Sequence, residues 1–343
     1  MKKTLLLVLA TALTAAPALA AIEMNAEAFV THKSVLQGLT ETAPKTEGTD
    51  VDRFRIIVSN KFNDQWAFKG RFEFKADGAN KVYIPEAHFV GTGVLMATDT
   101  LKMGIQDNPA YAMENSTGNR WITKPLSDDE GFAVASTQSG VSYGMKFNAL
   151  GVTLFSLSAE DGARVDTDDN AKLNGAMIDY KFNDAVTAWI QSATVSQHEI
   201  PTPVLPVGVA LSTARSTAIM SAGVNYKSDM FDAGFGYHTA TYTVETGTAP
   251  KNNMVMGING TAKKVAGSDT NIYAHFWTGY DSYNDTLEET QSKMMIGPTW
   301  TLAEGKVNMG VFYQMETFQG DYKTANPTAK EPSNLYVKLA AKF

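Results

Sequence analysis

The last eleven residues of the chain, 333–343, place apolar side chains at every second position. One face of a β-strand built from them would carry Leu335, Val337, Leu339, Ala341 and Phe343, and the other Asn334, Tyr336, Lys338, Ala340 and Lys342. Successive side chains of a strand point to opposite faces, and about ten residues are enough for a tilted strand to cross a bilayer. The pattern predicts a strand with lipid on one side and water on the other, although a soluble β-sandwich can also end in this way.

The first twenty residues have the pattern of a secretory signal. Two lysines precede a mostly apolar stretch, and small residues follow up to Ala20, so that we expect a signal peptide, residues 1–20, cleaved after Ala20. The apolar stretch is too short for a transmembrane helix, and no later segment has eighteen consecutive apolar residues. An exported chain that stays in a membrane must then cross it as a closed barrel, here residues 21–343, because hydrocarbon offers backbone groups no hydrogen-bond partner.

Composition excludes several classes of protein. The whole chain carries a net charge of −7, and removal of the first twenty residues, with their two lysines, leaves 27 basic and 36 acidic residues, a charge of −9. This balance argues against a nucleic-acid partner. Cysteine is absent, so neither disulfides nor thiolate metal sites hold the fold together. The apolar content of 44% fits a membrane barrel and a globular protein equally well. The order of apolar and polar residues along the chain is therefore what distinguishes the two.

Amphipathic runs with the period of a β-strand continue along the chain, and no long run has the period of a helix. We predict sixteen strands, near 26–37, 51–62, 65–75, 81–91, 99–106, 138–147, 151–160, 171–182, 185–197, 215–227, 231–244, 252–264, 269–283, 291–302, 306–318 and 333–343. An even number places both chain ends on the periplasmic side of an outer-membrane barrel.

Short turns and long polar connections alternate between these runs. The short turns are similar to one another: Lys61–Asp64, Lys146–Ala149, Lys181–Asp184 and Lys227–Met230. Their Asn and Asp residues favour tight turns, and the Phe found in three of them would lie at the membrane interface. The polar connections, which we expect on the extracellular side, are 40–50, 161–170, 198–214, 245–251, 284–290 and 319–332, and the longest, 107–137, follows the fifth strand.

With these features the chain resembles the general diffusion porins of Gram-negative outer membranes. The resemblance rests on the signal Met1–Ala20, the turn-paired strands, the glycine-bearing strand Leu101–Gln106, the long loop after it and the terminal Phe343. It implies a 16-stranded antiparallel transmembrane β-barrel with a long third loop folded into the pore. It also implies a homotrimer in contact with lipopolysaccharide, delivered by periplasmic chaperones and the barrel assembly machinery, with Phe343 as the assembly signal.

The resemblance further implies that acids on the third loop face basic residues on the barrel wall. The matching acids are Asp107 and Glu114, and the matching basic residues are Arg53, Arg55, Lys69 and Arg71. Many family members carry Pro-Glu-Phe-Gly-Gly at the loop tip, which residues 107–131 lack. The acid cluster Asp128–Glu130 could form either the tip or the exit of the loop.

Strand geometry supports a basic wall. The four cations are spaced i, i+2 on two adjacent antiparallel strands, so they cluster on one face. Charges that face a water-filled constriction orient the water in it and favour polar solutes. The alternative is a solvated strand face on which the cations pair with nearby acids such as Glu73.

Signals for catalysis or metal binding are weak. The five histidines, His32, His88, His198, His238 and His275, show no metal-ligand spacing, and we expect no metal and no cofactor. Gly140–Gly144 matches Gly-x-Ser-x-Gly but lies inside a predicted strand, whereas a nucleophile elbow needs a strand-to-helix turn. A hydrolase alternative would need a Ser paired with a His and a third orienting group.

The sequence therefore predicts a non-enzymatic, passive pore for small hydrophilic solutes and ions. A solute-specific channel on the same fold, for example for sugars or phosphate, is the first alternative. A run of aromatic side chains along one inner wall would favour a sugar channel, and the sequence offers only Tyr273 and Trp277 on one candidate inner face. A barrel that serves as an adhesin or structural anchor is the second.

Overall fold

Strands follow one another along almost the whole described chain. The computed structural model describes residues 22–37, 48–74, 82–116, 137–158, 172–199, 213–244, 251–284, 287–320 and 331–343. Within these ranges the strands are β1 (Glu23–Gln37), β2 (Gly48–Lys61), β3 (Trp66–Phe74), β4 (Val82–Thr92), β5 (Thr100–Asp107), β6 (Thr137–Phe147), β7 (Leu150–Ser158), β8 (Lys172–Lys181), β9 (Val186–Glu199), β10 (Thr213–Lys227), β11 (Phe231–Val244), β12 (Lys251–Ala262), β13 (Thr270–Asn284), β14 (Leu287–Leu302), β15 (Val307–Gly320) and β16 (Ser333–Lys342). The predicted strand order is confirmed, with the largest shift at β14, which begins at Leu287 instead of near 291.

The sheet closes on itself. Each strand pairs antiparallel with its neighbours in sequence, and β1 pairs with β16 to complete the barrel. At this seam the Phe343 N–H donates to the Ala26 carbonyl at 2.8 Å, and the Ala26 N–H donates to the Phe343 carbonyl at 3.2 Å. An open sheet would leave the backbone N–H and C=O groups of its edge strands unpaired, and closure pairs them. This pairing is needed in hydrocarbon, which offers no hydrogen-bond partner. The predicted 16-stranded antiparallel barrel is therefore confirmed.

Apolar side chains cover the outside of the barrel. On β16, Leu335, Val337 and Leu339 are exposed while Asn334 and Ala340 are buried, as the alternation of the last eleven residues predicts. Other exposed apolar side chains include Phe54, Phe89, Ile190, Phe235, Ile258, Phe276 and Ile296. An apolar surface of this extent is unfavourable in water and favourable in lipid.

Two of the four short turns share one hydrogen-bond pattern. In Lys61–Asp64 the Asn63 Oδ1 accepts the N–H of Gln65 at 2.9 Å and of Trp66 at 2.8 Å, and the lysine and aspartate pair at 2.8 Å. In Lys181–Asp184 the Asn183 Oδ1 accepts two backbone N–H groups at 2.8 Å each, and the ion pair is 2.7 Å long. These turns join β2 to β3 and β8 to β9 at the same end of the barrel, here called the short-turn end.

Asp99 organises another turn at this end, between β4 and β5. Its carboxylate accepts the N–H groups of Val94, Leu95 and Met96 at 2.6, 2.7 and 2.8 Å, and the Tyr143 hydroxyl donates to it at 2.6 Å. Burial acts to raise the pKa of Asp99, but these hydrogen bonds outweigh it and lower the pKa from 3.8 to about 2. The turn is therefore held by an ionised carboxylate.

Gly104 and Gly140 lie opposite each other on β5 and β6, with φ of +124° and +154°. A Cβ at Gly104 would lie 2.3 Å from the Ala87 carbonyl oxygen, and one at Gly140 would lie 2.2 Å from the Ser156 carbonyl oxygen. Only glycine permits this conformation and this close approach of backbones. Gly140 thus has a packing role in the Gly-x-Ser-x-Gly match, which lies inside β6 as predicted.

One short α-helix follows β5. Helix α1 (Pro109–Asn115) begins with proline, and the Asn108 side chain caps it by accepting the Ala110 N–H at 3.0 Å. Two 3₁₀ helices, Val265–Gly267 and Ala303–Gly305, form the turns after β12 and β14. No helix in the described ranges is long and apolar enough to cross a membrane.

Candidate pore lining

Four basic side chains gather on the inner face of β2 and β3, as the sequence predicts. Arg53 and Arg55 alternate with the exposed Phe54 on β2, and Lys69 and Arg71 occupy the inward positions of β3. In the neighbouring strands, the inward Glu27 lies opposite Arg55, Glu86 opposite Arg71, and His88 opposite Lys69. These residues, together with Glu73, form a surface that we call the charged wall. It consists of Glu27, Arg53, Arg55, Lys69, Arg71, Glu73, Glu86 and His88.

Carboxylates separate the cations along this wall. Glu73 Oε1 lies 2.6 Å from Arg55 Nε and 3.4 Å from Arg71 Nε. Glu86 pairs with Lys69 Nζ at 2.9 Å and with Arg71 Nη1 at 3.5 Å. The wall is thus a chain of alternating charges that relieves the repulsion among the cations. The expected cluster of four cations is present, and so are the ion pairs that were the alternative to it.

The charges nearly balance. Four cations face three carboxylates, which leaves a net charge of +1 when His88 is neutral. The side chains of Arg55 and Arg71 are 6% and 7% exposed, whereas that of Lys69 is 50% exposed. Lys69 is therefore the cation of this wall most open to water in the lumen.

An aromatic ring supports the arginines at one end of the wall. The guanidinium carbon of Arg55 lies 4.8 Å from the centre of the Phe29 ring, and that of Arg53 lies 5.6 Å from it. Both distances are in the range of a cation–π contact. Phe29 on β1 thus limits the conformations that the two arginines can adopt.

The first residues of the third loop, 108–116, lie on the side of the barrel opposite the charged wall. The Gln191 Oε1 of β9 accepts the Ala110 N–H at 3.0 Å, and Asn225 Nδ2 of β10 donates to the Met113 carbonyl at 2.8 Å. On β11, His238 Nε2 lies 2.6 Å from Glu114 Oε1. Because these side chains face inward, α1 lies inside the barrel, against β9–β11. Residues 117–136, which include the acid cluster Asp128–Glu130, lie outside the described residues.

The two predicted loop acids occupy different places. Glu114 lies at β11, eight strands from β3 in the barrel order, and therefore across the lumen from the charged wall. Asp107 ends β5 opposite Thr137, on the face of the strand away from the buried Gln106. The structure brings the four basic residues together and places neither acid among them.

Ser221, His238 and Glu114 form a row of three hydrogen-bonded side chains. His238 Nδ1 lies 2.8 Å from Ser221 Oγ, and its Nε2 contacts Glu114. These are the residue types of a hydrolytic triad, as the enzyme alternative required. All three side chains are buried among the described residues, with Ser221 3% exposed. These contacts hold α1 against β10 and β11.

Tyr273 and Trp277 both face inward on β13, where the sequence placed them, but both are 0% exposed. Tyr273 packs edge-on against Phe312, with ring centres 6.1 Å apart. A buried ring offers no surface on which a passing sugar could stack.

Sequence reasoning did not identify several side chains that shape this lining. Glu27 and Glu86 complete the charged wall, and Gln191, Asn225 and His238 hold α1. Strand alternation places both acids on the inner face, but their position opposite an arginine depends on the register, which alternation alone does not give. The contacts of α1 join residues about 80 to 120 positions apart, for which a single sequence gives no signal.

No protein-family model matches the chain, and no curated protein matches it. Solved structures do match. An anion-selective porin from Comamonas acidovorans has a TM-score of 0.69 at 11% identity, with 94% of this chain and 99% of that chain covered. The outer-membrane protein OmpT of Vibrio cholerae, in a trimer form, has a TM-score of 0.67 at 14% identity, with the same two coverages. The outer-membrane channel DcaP of Acinetobacter baumannii has a TM-score of 0.62 at 9% identity, with 94% and 97% covered. The chain thus has the porin-like barrel fold of outer-membrane proteins.

Proposed function

We propose that this protein is a passive pore of a bacterial outer membrane, through which small hydrophilic solutes and ions diffuse. The observation that carries the proposal is the charged wall inside a closed barrel with an apolar exterior. An inner face with seven ionised groups is unfavourable unless the groups pair with one another or meet water. Glu73 and Glu86 pair with the buried arginines, and the half-exposed Lys69 presents its charge to the lumen, where a diffusing solute would also need water.

The charged wall and α1 together define the selectivity of this pore. Alternating positive and negative groups on one side of the lumen create a transverse field that orients water. A polar solute can replace the oriented water at the charged groups. An apolar solute displaces this water and makes no polar contact in its place. Helix α1 occupies part of the lumen opposite and lowers the size limit for diffusion. Arg53, Arg55, Lys69 and Arg71 are accordingly the residues that we assign to the narrow section.

Further parts of the proposal follow from the resemblance to diffusion porins. They are export with cleavage after Ala20, assembly as a homotrimer in contact with lipopolysaccharide, and absence of catalysis. The matching fold of the trimeric OmpT form supports the trimer.

Liposome swelling tests the proposed function. Vesicles that contain the refolded protein should swell in isotonic sugars at rates that fall with the size of the sugar and rise in proportion to its concentration. Rates that saturate with one sugar and exceed those of its isomers would favour the solute-specific channel. The buried state of Tyr273 and Trp277 supports the non-saturating result.

A separate experiment addresses the hydrolase alternative. An activated serine reacts with a fluorophosphonate, and a serine without access or activation does not. We expect no label on Ser221 in the folded protein. Labelling that disappears both in Ser221→Ala and in His238→Gln would make the protein an enzyme.

A further inference from the structure

Small polar side chains interrupt the apolar exterior of the barrel on β7–β9. They are exposed, and they alternate along their strands with residues that are buried on the inner face, such as Leu157 and Leu173. They therefore face outward. We call this surface the polar patch, and it consists of Ser156, Asn174, Ser192 and Thr194.

The polar patch lies at a depth where other strands are apolar. Ser156 and Ser192 are each six positions from the short-turn end of their strands, β7 and β9. Phe276 of β13 and Ile296 of β14, six positions from the same end, are exposed apolar side chains. The patch thus continues the lipid-facing surface. Hydrocarbon beside it would leave its polar groups without partners, which is unfavourable.

The patch satisfies only part of its own hydrogen-bonding capacity. Ser156 lies opposite Asn174, and Asn174 lies opposite Thr194, so that a polar row about 10 Å long crosses three strands. Within this row Ser156 Oγ donates to Asn174 Oδ1 at 2.7 Å. Among the described residues, the hydroxyls of Ser192 and Thr194 have no hydrogen-bond partner. The patch therefore offers donors and acceptors to a molecule outside the barrel.

A lysine stands at the outer edge of the patch. Lys172 precedes Asn174 by two residues on β8, so it lies on the same outward face, and it is exposed. A lysine on the lipid-facing surface is tolerated near the membrane–water interface, where its ammonium group reaches the headgroups. Two residues of a tilted strand span roughly 5 Å of membrane depth. Asn174 consequently lies just below the level of the headgroups.

We propose that the polar patch and Lys172 form a binding site for a lipid whose saccharide headgroup carries phosphate. The hydroxyl and amide groups of the patch hydrogen-bond to the saccharide, and the Lys172 ammonium group pairs with a phosphate. The acyl chains lie against apolar side chains below the patch, such as the exposed Ile178. The choice of this lipid rests on the proposed outer-membrane location, whereas binding itself needs no pore.

Native mass spectrometry of the full-length folded protein in detergent tests the site. The protein is titrated with lipid A, a phosphorylated disaccharide with acyl chains, or with phosphatidylglycerol, which has a phosphate but no saccharide. Residues 160–169, outside the described residues, add five acids and one arginine next to Lys172 in the sequence. All solutions therefore contain Mg²⁺, which bridges carboxylates and phosphates.

The variant Ser192→Leu/Thr194→Leu makes two positions of the patch apolar. We expect the wild type to bind lipid A more tightly than phosphatidylglycerol. The variant should bind lipid A about three- to thirtyfold more weakly, since two hydrogen-bonding groups are lost. Lys172→Gln removes the phosphate contact without a change on the apolar surface. It should also weaken the binding of lipid A, and it provides a second test if the double variant does not fold.

Thr278→Leu/Ser292→Leu is the matched control. It replaces the same two residue types on the outward face of β13 and β14, where the two hydroxyls bond to each other at 3.0 Å. This control should bind lipid A as the wild type does.

Equal affinity of the patch variants and the control for lipid A, or equal affinity of the wild type for the two lipids, would overturn the site. Loss of oligomers in the patch variant with unchanged binding of lipid A would overturn it too, and would make the patch a contact between copies of the chain. Binding of lipid A that needs the patch, in a barrel that conducts no ions, would support the site and contradict the pore.

Discussion

His238 Nε2 lies 2.6 Å from Glu114 Oε1, and this contact joins α1 to the inner face of β11. Helix α1 has only seven residues, too few to be stable alone in water. Its position depends on the side chains of β9–β11 that bind it. Of these contacts, the one between His238 and Glu114 is the only pair of oppositely ionisable groups in the described residues of this interface.

His238→Ala should therefore loosen α1. We expect larger and noisier single-channel currents, because the helix no longer keeps one position in the lumen, and a stability loss of about 1–3 kcal/mol from the buried partner left behind. His32→Ala, at an exposed histidine of β1, is the control. Wild-type current and noise in His238→Ala would show that this contact does not hold the helix.

Removal of positive charge from the charged wall should change ion selectivity. In Arg53→Gln/Arg55→Gln the wall keeps Glu27, Glu73 and Glu86 but only two cations, so its net charge changes from +1 to −1. We expect a stronger preference for cations and a higher conductance, measured as reversal potential and current across a salt gradient. The effect should be largest in dilute salt, where screening is weak.

Lys61→Gln serves as the control for selectivity, because Lys61 pairs with Asp64 in an exposed turn. If the double arginine variant keeps both the wild-type reversal potential and the wild-type conductance, these arginines do not line the narrow section.

Asp99 should make stability depend on acid pH. Its pKa in the folded protein, about 2, is below the value of 3.8 expected in the unfolded chain. Its contribution is therefore fully present above about pH 4 and is lost as the pH falls towards 2. Asp99→Asn should be less stable than the wild type at neutral pH, and its urea midpoint should change less between pH 4 and pH 2.

Asp64→Asn is the matched control for this titration, because its ion pair with Lys61 is exposed and contributes little. It should follow the wild-type curve. An Asp99→Asn curve parallel to the wild type through this pH range would remove the assigned role of the carboxylate.

Phe343 contributes to the barrel through its backbone as well as its side chain. Two backbone hydrogen bonds join it to Ala26, and its side chain is 75% exposed. Phe343→Ala keeps these hydrogen bonds, and we expect it to lower the yield in the outer membrane much more than it lowers the unfolding midpoint of the inserted protein. Proportional losses in both measurements would contradict a role as assembly signal. Deletion of Phe343 would not separate an effect on assembly from an effect on stability, since it also removes the hydrogen bonds to Ala26.

Alternation along the chain was sufficient to predict the barrel. The strands share an apolar exterior, and turns such as Lys61–Asp64 mark the ends of the strands. The inner face is polar on β2 and β3, whereas on β7–β13 it also carries a buried apolar cluster that includes Leu173, Val195 and Trp277. The position of Arg55 and Arg71 on the inner face followed from the same rule. Their partners did not, because the register that places Glu27 and Glu86 opposite them depends on hydrogen bonds between strands. The place of α1 could not be predicted either, since it rests on Gln191, Asn225 and His238, which are distant in sequence.

Planar-bilayer recording of the purified, folded protein tests the central claim most directly. A water-filled lumen predicts stepwise increases of current that scale with the conductivity of the salt, and a trimer predicts steps grouped in threes. Heat-modifiable migration in detergent should confirm that the protein added to the bilayer is a closed barrel. Folded protein that inserts and yet gives no steps in salt solution would contradict a pore.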